Sequence, residues 1–151
     1  MLTLIKTNSE NSDFQALVKL LDKDLAVRDG EDHAFYAQFN KTLDIRHVVV
    51  CYANGEKVGC GAFKRYGDAE VEIKRMFVVS SQRGLGIGAK ILEELENWAK
   101  DLGYEKCLLE TGKKQPEAIR LYQKCGYSII SNFGQYENVE NSVCMLKQLM
   151  V

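Results

Sequence analysis

No apolar run in this chain is long enough to span a bilayer. No Cys-x-x-Cys occurs, and the cysteines (Cys51, Cys60, Cys107, Cys125 and Cys144) are odd in number. The opening residues, "MLTLIKTNSENSDF", carry one lysine and then turn polar, which makes a poor secretory leader. These absences point to free thiols in a reducing compartment, and the expected location is the cytoplasm. Histidine is scarce. His33 and His47 have no ligand spacing to the scattered cysteines, so no metal site is expected. An excess of one charge is also missing: Lys plus Arg number 20 and Asp plus Glu 21, for a formal net charge of -1. That balance argues against a whole-surface binder of nucleic acid or of a membrane. No repeat, linker or low-complexity segment breaks the 151 residues, which suit one domain over 1–151 with a sizeable core.

What is present is a succession of strand and helix patterns. "LTLIK" reads as a first strand. "SDFQALVKLLDKDLAV" sets Phe14, Leu17, Leu20 and Leu21 near the helical period, with Asn11 or Ser12 as cap. "RDGEDHAFYAQFN" reads as a turn and then a short helix carrying Phe35, Tyr36 and Phe39. "VVVCYA" and "KVGCGAFKRY" flank Asn54-Gly55, a two-residue hairpin signal, and Gly67-Asp68 marks the next turn. "EVEIKRMFVV" completes three adjacent antiparallel strands. In it Glu70, Glu72 and Lys74 share one face and Val71 and Ile73 the other, until the pattern changes at Met76. Ile87, Ile91, Leu92, Leu95, Trp98, Ala99 and Leu102 form the apolar stripe of a long helix that Gly103 ends. "KCLLET" is a strand, "QPEAIRLYQKCG" a second capped helix, and "YSIIS" and "NSVCMLKQL" the last two strands. The expectation is one α/β domain with a mixed sheet.

Between the strand "VEIKRMFVV" and the long helix lies "SSQRGLGIGAK". Gly84, Gly86 and Gly88 permit positive φ and remove side chains that would block a ligand. The first turn of the helix adds unpaired N–H groups, and Arg83 adds charge. Together they suit phosphate oxygens. "GLGIGA" also fits the dinucleotide fingerprint G-x-G-x-x-A. Its setting disagrees, because three antiparallel strands precede it and little chain remains to complete that fold.

The turn and a second landmark together resemble the GNAT superfamily of N-acetyltransferases. The family's acetyl-coenzyme A motif, R/Q-x-x-G-x-G/A, reads here Arg83-Gly84-Leu85-Gly86-Ile87-Gly88. The second landmark, N-x-x-A-x-x-L-Y-x-x-x-G-F/Y, reads "QPEAIRLYQKCGY" from Gln115 to Tyr127. The resemblance covers nearly the whole chain and is weakest over residues 7 to 45. It implies a mixed, mostly antiparallel central sheet flanked by helices and splayed between strands 4 and 5. It implies acetyl-coenzyme A as cosubstrate, with its arm along Met76, Phe77 and Val78 and its pyrophosphate on the turn from Arg83 to Gly88. Gln115 stands where the family often has asparagine, one methylene longer, which leaves its contact to the cosubstrate open.

The same resemblance implies the chemistry. An amine acceptor is protonated at pH 7 and needs a base. Glu72 matches the carboxylate on the fourth strand that serves some members in that role, and Glu70 is the backup. Read without the family, that face is a solvated strand face of alternating charge. Tyr122, the first tyrosine of "LYQKCGY", is implied as a contact of the cosubstrate sulfur and a proton donor to the leaving thiolate. Read alone, it is a packed helix aromatic. A backbone N–H near Val78 is implied as the oxyanion donor. Cys125 has no histidine partner, so direct transfer in a ternary complex is favoured over an acyl-cysteine.

Acidic residues in "RDGEDHAFYAQF" and "SNFGQYENVENS" suit a small cationic amine. The expected function is therefore transfer of acetyl to a primary amine of a small molecule. A protein N-terminal or lysine acetyltransferase and a non-catalytic acetyl-coenzyme A sensor are the alternatives. A homodimer is the default expectation for a small enzyme.

Overall fold

A computed structural model describes residues 1–29 and 45–149. The turn and short helix expected around Phe35, Tyr36 and Phe39 lie outside the described residues.

Among the described residues seven strands form one sheet: β1 (Leu2–Thr7), β2 (His47–Ala53), β3 (Glu56–Arg65), β4 (Glu70–Val78), β5 (Lys106–Gly112), β6 (Ser128–Ile130) and β7 (Ser142–Gln148). Their order is β1-β2-β3-β4-β5-β7-β6. Every neighbouring pair is antiparallel except β4 and β5. The described α-helices are α1 (Ser12–Asp29), α2 (Ile87–Asp101) and α3 (Pro116–Lys124). None of the described helices is long and apolar enough to cross a membrane.

Strand alternation sorts the core into two layers. Val48, Val50, Cys60 and Ala62 pack with Phe14, Leu17, Val18 and Leu21 of α1. Val49, Cys51, Phe63, Val71 and Ile73 pack with Ile87, Ile91, Leu92 and Leu95 of α2. Asn11 caps α1, its Oδ1 accepting the Phe14 N–H at 2.9 Å. α1 then runs on to Asp29, past the turn expected from Arg28 onward. Leu20 and Leu102, counted in the apolar stripes, are 44% and 51% exposed. Leu20 sits off the face shared by Phe14, Leu17, Val18 and Leu21, and Leu102 lies past the last turn of α2.

The lapse of alternation at Met76 has a backbone cause. Lys74 pairs with Ala62 and Phe77 with Cys60, so Arg75 and Met76 together oppose Gly61. This is a β-bulge, and Arg75 takes φ 59 within it. The extra residue exchanges the faces. Before it, Val71 and Ile73 pack toward α2. After it, Phe77 packs toward α1 and Met76 toward α2. The buried Arg75 side chain anchors the bulge, its Nη1 bonding Asp22 Oδ1 of α1 at 3.1 Å.

β4 and β5 part company early. The ladder holds Glu70 to Lys106, Val71 to Cys107 and Glu72 to Leu108, and goes no further, although β4 continues to Val78 and β5 to Gly112. This is the splay between strands 4 and 5. Val79 donates its N–H to Val58 of β3 at 2.9 Å, so alternation turns the backbone groups of Val78 and Met76 the other way, into the gap.

Gly61 sets how closely α2 approaches the sheet beside this gap. A Cβ there would lie 2.5 Å from Met76 Sδ of β4, 2.8 Å from Leu95 Cδ1 and 3.0 Å from Ile91 Cγ2 of α2. Gly61→Ala is expected to lower stability by about 1–3 kcal/mol through overpacking, read as a lower denaturant midpoint at unchanged slope.

Candidate active site

A cleft of about 900 Å³ opens where the gap meets the glycine turn. Met76, Phe77, Val78, Arg83, Gly84, Gly86, Ile87, Gly88, Gln115 and Tyr122 all line it, brought from β4, the turn, α2 and α3. Leu85 does not: it is 65% exposed and turned away from the cleft. Gly84 and Gly86 hold φ 84 and 79, a left-handed backbone that side chains resist. Gly86 is the N-cap of α2 and offers no side-chain cap, so the N–H groups of that first turn remain directed at the cleft. A helix N-terminus bare of side chains is a fit for phosphate. The volume is that of a site for a large small-molecule ligand. Gln115, at the N-cap of α3, makes no capping bond with its side chain.

Arg83 does not reach into the turn. Its Nε donates to the Val78 carbonyl at 2.8 Å, and its guanidinium lies 5.5 Å from the centre of the Phe77 ring. It thereby occupies one of the backbone acceptors that face the gap.

The second part of the site lies on the opposite face of the sheet from α2. Alternation puts Glu72 and Lys74 of β4 there, with Glu110 of β5 and Ser142 and Cys144 of β7. Glu72 is buried at 4% exposure. The face that reads as solvated is covered by the short turn Gly134–Tyr136. Tyr136 donates its hydroxyl to Glu72 Oε2 at 3.2 Å, and Lys74 Nζ stands 3.7 Å from the same oxygen. Burial pushes the Lys74 ammonium below its usual range, while the negative charge of Glu72, and less so of Glu110, opposes that fall. Burial also lifts the Tyr136 phenol, with Glu72 and Glu110 adding to the rise. Phe133 packs edge-on to Tyr136 at 5.7 Å and to Tyr66 at 5.1 Å, so an aromatic row borders the carboxylates.

Glu110 is the residue that sequence reasoning missed. Ser142 Oγ donates to its Oε2 at 2.7 Å, and its charge is felt by Lys74, Tyr122 and Tyr136. The signal was there: a lone carboxylate inside the otherwise apolar strand "KCLLET". Glu70, the backup base, is half-buried at the start of β4, next to the Gly67 turn rather than among this group.

Tyr122 joins the two parts. It is 7% exposed, lines the cleft and packs edge-on to Tyr127 at 5.9 Å. Burial, followed by the charge of Glu110, raises its pKa and keeps it a neutral phenol at any working pH. Tyr127 instead serves packing, bonding Glu96 Oε2 at 2.8 Å.

Burial disfavours the thiolate at every cysteine. Cys51, Cys60, Cys107 and Cys144 are buried and Cys125 half-buried. Burial lifts Cys60 and Cys107 to about 12 and Cys144 to about 11, and it raises Cys125 too. At pH 8 an alkylating reagent is expected to reach Cys125 first and the other four only on unfolding, as mapped by peptide mass. Fast labelling of Cys60 in the native protein would contradict this packing.

A family model described as the acetyltransferase (GNAT) family matches residues 14–127. The chain is 40% identical over 125 residues to an IAA acetyltransferase of Azospirillum brasilense, a match spanning 75% of this chain and 79% of that one. A Klebsiella pneumoniae protein, assigned to the acyl-CoA N-acyltransferases, has a similar structure: TM-score 0.82, 28% identity and 99% of both chains. PaiA N-acetyltransferase of Thermoplasma acidophilum was solved in complex with coenzyme A. It matches with TM-score 0.72 over 98% of this chain and 99% of that one, and at 18% identity the likeness is one of fold.

Proposed function

Because the chain belongs to the GNAT family of acetyltransferases and uses acetyl-coenzyme A, we propose that it acetylates a primary amine of a small molecule by direct transfer. One observation carries this reading: buried Glu72 lies where the β4–β5 ladder ends, and β4 runs on from it to Met76, Phe77 and Val78, which line the cleft.

The cosubstrate supplies an activated acetyl thioester. In the gap the N–H groups of Met76 and Val78 and the Met76 carbonyl are offered to an amide-bearing arm, as on an unpaired strand edge, while Arg83 holds the Val78 carbonyl. The N–H groups of the glycine turn hold phosphate. Glu72 attracts the incoming ammonium and takes its proton, which frees the nitrogen lone pair to bond the acetyl carbon as the carbon–sulfur bond breaks. The Val78 N–H region steadies the charge on the acetyl oxygen. Tyr122 donates its proton to the departing thiolate and is reprotonated, through solvent, by the second proton that the acylated nitrogen sheds.

The covered carboxylate supports a small acceptor. Tyr136 is 4% exposed and donates to Glu72, with Phe133 packed on Tyr136 and Tyr66 on Phe133. A peptide chain would need an open groove at that point.

The test is release of free coenzyme A across amines, polyamines, amino sugars, amino acids, IAA and short peptides, with products checked by mass. Turnover of a small amine supports the reading. Turnover of peptides alone would replace it with protein acetylation. Tight cofactor binding without turnover of any acceptor would replace it with a sensor.

A further inference from the structure

Four charged side chains run in a row along the rim of the cleft. Arg83 Nη2 stands 3.7 Å from Asp24 Oδ2 on α1. Asp24 Oδ2 is 3.4 Å from Arg28 Nε one turn later. Arg28 Nη1 then pairs with Glu117 Oε1 at the first turn of α3. The row thus ties the glycine turn to α1 and α1 to α3, and all four residues line the cleft.

Glu117 stands in the first turn of α3, where the helix N-terminus favours a carboxylate, and Arg28 pairs with it there at the rim of the cleft. Arg28 is the better buried of the two, its side chain 25% exposed against 50% for Glu117. An arginine fork that faces a phosphate site and is held by a carboxylate can exchange that carboxylate for a phosphate, since both fit the fork in the same way.

We propose that Arg28 is a phosphate-binding residue of the cleft, held in reserve by Glu117, and that coenzyme A displaces Glu117 from it. Arg28 lies on α1, outside both sequence landmarks, so its role is a property of this chain's rim. The exchange ties α1 to the bound ligand and leaves Glu117 to solvent. The inference rests on the cleft being the seat of coenzyme A.

Calorimetric titration with coenzyme A tests it without any turnover. Arg28→Gln is expected to weaken binding by about tenfold, the scale of one partly exposed charge-assisted contact, and to flatten its salt dependence. Glu117→Gln is expected to tighten binding about threefold, because an exposed pair no longer has to be broken. In the Arg28→Gln background the Glu117 change is expected to do nothing. That last result separates partner exchange from a simple repulsive field, which would persist without Arg28. Thermal midpoints of the variants establish that each is folded. An unchanged affinity in Arg28→Gln, or strictly additive effects, overturns the proposal while leaving the cleft assignment in place. No binding of coenzyme A by the unaltered chain overturns both.

Discussion

Glu72→Gln is expected to lower kcat/KM for the best small amine at pH 7 by about 100- to 1000-fold, the usual contribution of one positioned base. The substitution keeps shape and volume. Its amide oxygen still accepts the Tyr136 hydroxyl that Glu72 Oε2 now receives at 3.2 Å, so the covering turn has no reason to move. What changes is charge. The base is lost, and so is a counter-charge 3.7 Å from Lys74. Burial already holds the Lys74 ammonium below its usual range against the pull of Glu72. Without Glu72 the pull that opposes this fall is weaker, so the substitution also disfavours the Lys74 ammonium. Coenzyme A affinity is expected to stay within about twofold, because Glu72 does not line the cleft. Steady-state rates and a binding titration on the same preparation check both halves. A variant within a few-fold of the original rate would dismiss Glu72 as the base. Glu110→Gln would then be the next substitution, since Glu110 is the other carboxylate felt by Lys74, Tyr122 and Tyr136.

Local chemistry made much of this fold legible. Asn54 and Gly55 both take positive φ, as the two-residue hairpin turn requires, and the flanking strands pair where the alternation puts them. The glycine turn sits between β4 and α2 because its glycines interrupt both periodicities at once. The lapse at Met76 was visible too, but its meaning was not. A bulge is defined by two strands, and the one residue opposing Arg75 and Met76 is Gly61, far back in the chain. Glu72 shows the same limit. In sequence it belongs to an alternating charged face, and such faces are normally wet. It is dry because a turn 64 residues later lays Tyr136 over it. Glu110 gains its meaning from Ser142, 32 residues on, because β7 inserts between β5 and β6. Periodicity reports which face a residue takes. It does not report what arrives to cover that face.

Tyr122→Phe is expected to lower kcat by about 100-fold, at the low end for loss of a general acid, with little change in the affinity for coenzyme A or for the amine. The ring matters to packing and the hydroxyl to chemistry, and phenylalanine divides the two. The ring keeps its edge-on contact with Tyr127 at 5.9 Å and its place in the α2-side core, so the thermal midpoint should barely move. The hydroxyl is held as a neutral donor by burial and by the negative charge of Glu110, which both resist its ionisation. The donor is therefore always protonated, but the same two effects weaken it as an acid, so the transfer depends on the thiolate forming directly at the hydroxyl. The reading competes with a plainer one, in which Tyr122 is a packed aromatic that happens to line the cleft. The two diverge sharply. A packing role predicts lost stability and weaker binding in Tyr122→Ala but nothing in Tyr122→Phe. A donor role predicts that Tyr122→Phe keeps its fold and its ligands and loses turnover. An undiminished kcat in the folded Phe variant would leave the thiolate to be protonated by solvent at the open mouth of the cleft. A loss confined to kcat would place the acid on α3, across the splay from the carboxylate that starts the reaction.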